Sequence, residues 1–363
     1  MTSTTPDPRG IFAPDTLALL ADDHVLHACR PIEQAPVAEG LLAPLAAAIP
    51  NYEVRADIAL AGAFKGGDWT ASSGHICGRF MAPLFGIPAT ERVTYLRFGC
   101  FQRREGARVA ETIVILDLPS LMIEAGVWPL AVPLGPNFMA PPPVTRDGIW
   151  PTGDGAASLA IVEGMIGGLM KFDGSLKTMN MRDFFAEDFW WFGPAPIGNF
   201  RGHADYERGH QLPFLTAFPD RVGGNHRARI GEGMYVASTG WPRTRATVSS
   251  ASSVARSLST GDSGVAGVSG RAPIGALRIR SAPEPWDPDA NRTIASSTSS
   301  GRSRAPSAAR RTRSSSSSSV GSVPSTHSEP STVAGVQCVV VALVVDMVAS
   351  SDRVLKQMCQ CIR

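Results

Sequence analysis

Residues 44 to 74 read PLAAAIPNYEVRADIALAGAFKGGDWTASSG, and residues 213 to 240 read PFLTAFPDRVGGNHRARIGEGMYVASTG. Each begins as a short apolar helix ending at a proline (Pro50, Pro219), crosses a polar link and forms two strands about a glycine-containing turn. The turns are KGGD in the first copy and GEG in the second. Upstream, DDHVLHACRP (22 to 31) and EDFWWFGP (187 to 194) occupy comparable places, so one unit occurs twice at an offset near 166 to 169 residues. The first copy continues. TYLRFGCFQRR and ARVAETIVILD read as strands joined at Glu105-Gly106, and Pro119 to Ala125 reads as a short helix closed by Gly126.

Nothing of the kind follows Trp241. Residues 249 to 332 hold 25 serines, with Arg, Pro, Ala and Gly making up much of the rest, too little apolar surface to offset the entropy of ordering. A disordered tail over residues 243–363 is therefore expected. Two explanations stay open: a genuine extension, or a shift of reading frame near Arg243, because GC-rich codons read out of frame give these residues.

Charge follows the same division. Residues 1 to 242 carry 19 Lys+Arg against 25 Asp+Glu, net −6, whereas residues 243 to 363 carry 15 against 7, net +8. The tail arginines stand in a Ser-rich context with Trp286 as the lone aromatic, which suits nonspecific anion binding and not specific nucleic-acid recognition. Six cysteines show no CxxC pair, and His203, His210 and His226 show no ligand spacing, so neither a disulfide framework nor a metal is expected. The apolar run VAGVQCVVVALVVDMVA is interrupted by Gln337 and Asp346 and falls short of a membrane span. No secretory signal or nucleotide-binding motif is visible, and a reducing, cytoplasmic setting is the expectation.

The stretch from 74 to 130 carries GHxxGxF (Gly74, His75, Gly78, Phe80), then GIPAT (Gly86 to Thr90), then a basic-EG-x-R turn and strand (Arg104 to Glu111), then LD before a short helix ending in AGV (Leu116 to Val127). In this order and spacing it resembles the SnoaL-like polyketide cyclase and ester cyclase group of the NTF2-like superfamily. The resemblance implies an α+β fold, an NTF2-like cone of curved antiparallel sheet wrapped by helices, with a pocket between sheet and helices. Here it is repeated as one full unit (12–135) and the N-terminal half of a second (150–242), followed by the tail. Some members of the group are cyclases or isomerases and others bind ligands, so the fold alone licenses no reaction.

In VAETIVILD, alternation puts Asp117 in line with Ile113 and Ile115. A carboxyl ending an apolar row suits a general acid/base, and Asp117 matches the residue that the resemblance implies as acid/base for an intramolecular aldol closure. It also precedes LPSLMIEAG and could simply cap that helix. His75 shares a face with Trp69, Ala71, Ser73 and Cys77; if that face lines the pocket, His75 could hydrogen-bond a substrate carbonyl or orient Asp117, and otherwise it is a structural histidine. Arg97 is read as a buried pair for Glu111 or as a surface residue. Cys100 stands where the group commonly has an acidic residue and is read as a small core residue. The aromatics Phe184, Phe185, Phe189, Trp190, Trp191 and Phe192 are read as core packing.

The expected function is binding or conversion of a small apolar carbonyl compound, by chemistry that needs no cofactor. The alternative is a noncatalytic ligand-binding or scaffolding module, with a damaged second copy as a further possibility. The expected partners are the small apolar ligand and a second copy in a homodimer, with no membrane.

Overall fold

A computed structural model describes residues 5–129, 133–217, 225–241 and 337–339. The expectations for the tail, including the frame shift and the arginines, lie outside these residues except at 337–339.

A short helix, α1 (Thr16–Leu19), leads into strand β1 (Leu20–Ala28). A π-helical segment (Val37–Leu42) runs directly into α2 (Ala43–Ala48), and then come the long strands β2 (Glu53–Phe64), β3 (Gly67–Arg79), β4 (Val93–Glu105) and β5 (Arg108–Leu116), followed by α3 (Leu118–Glu124). The sheet order is β1-β5-β4-β3-β2. Strands β2 to β5 are antiparallel, as expected, but β1 joins β5 in parallel, because the helical segment after β1 carries the chain across to the far edge before β2 begins. Register shifts leave an extra residue at Asp57 in β2 and at Ala110 in β5, and these bulges bend the strands that carry them.

The turns obey their residues. Lys65 and Gly66, both at positive φ (50° and 77°), close the β2–β3 hairpin in the way that two-residue hairpins favour, and Gly106 begins the β4–β5 turn, one residue later than the sequence suggests.

The two faces of the sheet are covered by different things. On one lie the helices: Leu41, Leu45, Ile49, Leu118 and Leu121 pack on Ile76, Leu96, Phe98, Val114 and Leu116. On the other, Leu60, Trp69, Ala71, Phe101 and Ile113 pack against Ala228, Ile230, Tyr235 and Ala237. These come from a second hairpin, β8 (His226–Glu232) and β9 (Tyr235–Gly240). Its remaining face meets α4 (Ala156–Leu169), whose buried Val162 and Met165 join Val236, Leu215, Met179 and Met181 in a third cluster. The sequence reading did not anticipate α4. Between α4 and β8 stand the two-stranded sheet β6 (Trp190–Phe192) and β7 (Asn199–Arg201), α5 (Gly202–Tyr206), a second π-helical segment (Glu207–Gln211) and α6 (Leu212–Ala217). Residues Gln337–Val339 form β10, parallel to β9. Among the described residues no helix is long and apolar enough to cross a membrane.

The glycines of GHxxGxF are explained by packing. A Cβ on Gly74 would lie 1.9 Å from the carbonyl oxygen of Arg55 and 2.9 Å from Cα of Ala56, beside the β2 bulge, and one on Gly78 would lie 2.4 Å from Cγ2 of Ile49, just after α2. Backbone cannot retreat as a side chain can, so Gly74→Ala should cost about 1–3 kcal/mol or more, read from urea unfolding. Unchanged stability would contradict the close strand approach at the bulge.

Candidate functional site

At one end of the sheet's outer face, the one away from the helices, polar residues gather in a row across four strands. The hairpin register sets them there: His75 pairs with Arg97 across β3 and β4, and the N–H of Asp117 donates to the carbonyl of Arg97 at 3.0 Å, extending the β4–β5 ladder by one residue. Nδ1 of His75 lies 3.1 Å from Oδ2 of Asp57, and that aspartate sits in the β2 bulge, between the register positions Ala56 and Ile58. His75 is 4% exposed and Asp117 5%.

Asp117 occupies the N-cap position of α3, but its side chain makes no cap hydrogen bond. Its carboxylate is turned to the segment after β6 instead. The N–H of Ala195 donates to Oδ2 at 3.0 Å, and Nη2 of Arg97 approaches Oδ2 at 3.4 Å. Arg97 also donates to the carbonyls of Phe192 (3.1 Å) and Gly193. Burial pushes the Asp117 carboxyl above the ordinary carboxylate range; the neighbouring Arg97 charge and the Ala195 N–H oppose that shift without cancelling it.

Asp117 stands at the N-cap, and the Ser120 N–H of the first turn acts on its carboxyl together with the Ala195 N–H and Arg97, so the cap reading and the acid/base reading both stay open. The pairing of Arg97 with Glu111 is corrected. Glu111 is held by Nε of Arg103 at 3.3 Å and by Nη2 of Arg227, from β8, at 2.6 Å, with Nε2 of His27 at 3.5 Å. His75 and Asp117 are placed on one face of the sheet, with Arg97 between them, but that face is covered by the second half of the chain and not by the helices. Cys100 is a core residue: it lies on the helix side, fully buried, with its thiol pushed up to about 12 by burial.

Around the row stand exposed aromatics. Tyr95 lies two residues from Arg97 on the same face of β4, and Phe138 packs edge-on to both Trp190 (6.1 Å) and Phe192 (6.3 Å). Trp190 and Phe138 are exposed, so core packing does not account for them. The rest of the second-half aromatics do pack inward: Trp191 stacks on His210 at 4.2 Å and Phe185 on Phe189 at 4.5 Å. His210 is buried, and its imidazole is pushed down to about 3 by burial.

Sequence reasoning missed Asp57, because the bulge breaks the alternation that would have placed it beside His75. It also missed a second polar row, on the helix side. Thr70, Gln102 and Thr112 are cross-strand partners there, and Nε2 of His24 lies 2.9 Å from Oγ1 of Thr112. Their signal was the even-numbered face of WTASSG, which carries Thr70 and Ser72. Among the described residues no group of three or more His, Cys, Asp or Glu could hold a metal ion.

No family model matches the sequence, and no curated protein matches it. Similar solved structures are SnoaL-like polyketide cyclases and ketosteroid isomerase-like folds. One is IdmH of Streptomyces antibioticus, assigned as a polyketide cyclase, 21% identical over 31% of this chain and 85% of that one, with a TM-score of 0.26. Another is a protein of Jannaschia assigned as a SnoaL-like polyketide cyclase, 16% identical over 30% and 74%, TM-score 0.26. A third is a protein of ketosteroid isomerase-like fold from Catenulispora acidiphila, in complex with trimethylamine, 18% identical over 34% and 95%, TM-score 0.26.

The Asp117 geometry has a stability signature. A carboxyl whose folded pKa is raised favours the fold only while protonated, so its contribution is full below the unfolded value and is lost as pH rises through the folded one. Asn does not titrate. Between pH 4 and 8 the wild type should therefore lose stability relative to Asp117→Asn as pH rises, measured by urea unfolding at each pH. A difference that is flat, or that moves the other way, would mean that Arg97 and not burial governs the carboxyl.

Proposed function

We propose that residues 12–135 form a SnoaL-like unit and residues 150–242 the N-terminal half of a second, and that the protein binds or converts a small apolar carbonyl compound at the row of Asp57, His75, Arg97 and Asp117. The observation that carries this reading is the buried Asp117 carboxyl, raised by burial, on the same face as a histidine held by its own aspartate. A carboxyl of raised pKa is suited to taking a proton from carbon beside a carbonyl and returning it near neutral pH. With Nδ1–H of His75 donating to the Asp57 carboxylate, Nε2 of the neutral ring is an acceptor for a ligand hydroxyl or enol O–H, and only the doubly protonated ring has an Nε2–H to donate to a carbonyl oxygen. The exposed rings of Tyr95, Phe138 and Trp190 offer an apolar rim for the body of the ligand. These steps call for no cofactor. The proposal keeps a homodimer, no specific nucleic acid and a cytoplasmic setting.

Support for duplication comes from the order of elements. In both halves a π-helical segment runs into an α-helix and then a hairpin, Val37–Leu42, α2 and β2–β3 in one and Glu207–Gln211, α6 and β8–β9 in the other, with β1 before it in the first half and β6, β7 and α5 before it in the second.

A second reading has a specific observation in its favour. The Ala195 N–H and Arg97 engage the Asp117 carboxylate, and Arg97 grips two carbonyls of the same loop. In that reading the row is a latch that fastens residues 192–195 to the sheet, and the protein is a noncatalytic binding module.

Exchange of the α-protons of 1-tetralone in D2O, followed by NMR, separates the two. Acid/base chemistry predicts accelerated exchange by the wild type and a loss of at least about a hundredfold in Asp117→Asn, the usual scale of a general base. Equal exchange by the two proteins removes Asp117 from the chemistry. Binding of tetralone without exchange by either supports the noncatalytic module.

A further inference from the structure

All six residues of β9, Tyr235–Gly240, are buried. Tyr235 and Ala237 pack on the central sheet, and Val236 packs into the cluster built on α4. Both faces of the strand are thus shut off from water. Backbone groups along its outer edge, the one away from β8, must find protein partners or carry the cost of a buried, unpaired N–H or C=O. The turn decides which groups these are. Glu232 pairs with Tyr235 around the two-residue loop Gly233-Met234, and residues that flank such a loop form a hydrogen-bonded pair. The N–H groups of Tyr235 and Ala237 therefore face β8, and that of Val236 faces away from it.

Among the described residues, Gln337–Val339 lie along that outer edge, parallel to β9, with residue 338 at the register position of Val236. In the β2–β3 hairpin the corresponding edge, that of β3, carries β4. The sequence around residue 338 suits the place. Residues 336 to 345 read VQCVVVALVV, apolar almost throughout and rich in β-branched valine. A strand added to β9 prolongs two covered faces, and a strand covered on both reads as a continuous apolar run instead of an alternating one. The chain between Trp241 and Gln337 far exceeds the roughly a dozen residues that a parallel return requires.

We propose that the outer edge of β9 is a peptide-binding edge that accepts an extended apolar strand in parallel, and that the chain's own segment at Gln337–Val339 is its resident occupant. Main-chain hydrogen bonds supply the attachment, as in strand addition generally, and the demand for apolar side chains on both faces supplies the selectivity. The edge uses none of Asp57, His75, Arg97 and Asp117, so this proposal and the acid/base reading stand or fall separately.

Amide exchange of the intact chain tests it. In the wild type the Val236 N–H should exchange as slowly as that of Ala237, which β8 holds. Free exchange at Val236 with Ala237 protected would mean an empty edge and would overturn the proposal. This comparison needs no variant. Val339→Pro then dislodges the resident strand: in a parallel pair a residue bonds to those on either side of its register partner, so the N–H of residue 339 is the one that meets the Val236 carbonyl. In the variant the Val236 N–H should exchange at least about tenfold faster, the scale of one lost hydrogen bond, while Phe101 and Ile113 of the central sheet stay protected. A peptide of residues 334 to 343, with a lysine at each end for solubility, should restore protection of Val236 in the variant in a saturable manner and leave the wild type unchanged. A variant as protected as the wild type overturns the proposal, as does a peptide that protects no better than the same peptide carrying proline at position 339.

Discussion

Every residue of β5 from Val109 to Leu116 is buried, so the central sheet has two faces that water cannot be allowed to reach. At about 25 cal/mol per Å2 of apolar surface, leaving either face open would cost more than a small domain has to spare. The helices answer for one face. The β8–β9 hairpin answers for the other, and it is itself held from behind by α4. The second half of the chain is therefore a structural cover for the first, whatever else it does. Glu111 marks the junction, a buried carboxylate shared by Arg103 of the first half and Arg227 of the second. Removing either arginine would leave the buried Glu111 carboxylate with less compensation for its lost hydration.

This arrangement explains why the polar row lies where it does. Asp57, His75, Arg97 and Asp117 stand beyond the apolar part of the outer face, where the hairpin's cover gives way to the loop at 192–195. A carboxyl there is dry enough for its pKa to rise, and Arg97 beside it is only partly buried. The helix-side face differs in kind. It is filled by Ile11 and Phe12 above a buried hydroxyl that nothing in the described chain satisfies.

Much of the first half was legible. Glycine-containing turns placed the hairpins within a residue, and alternation along VAETIVILD put Asp117 on the face of Ile113. What alternation cannot say is which face the helices take, and it assigned the row to the pocket only on that condition. The near-continuous apolar run of β5 was the unused signal, since a strand buried on both faces loses its alternation. The Arg97 partner was not legible: the turn at Gly106 alone sets Arg103 opposite Ala110, and a bulge at Ala110 shifts the ladder so that Arg103 meets Glu111 and Arg97 lies beside Asp117. Asp57 was not, because a bulge is a break in the very pattern being read. Helix α4 was hidden by its composition, with three glycines among its residues and no polar face to mark a period.

The central claim is that the hairpin and the sheet are one cooperative body. Native-state hydrogen exchange of the intact chain tests it most directly, comparing amides of β8 and β9 with those of β3, β4 and β5. The account predicts a shared slowest class, with Ile230 and Ala237 exchanging through the same global opening as Phe101 and Ile113. Fast exchange of the hairpin through a separate, low-energy opening, with the sheet still protected, would contradict it.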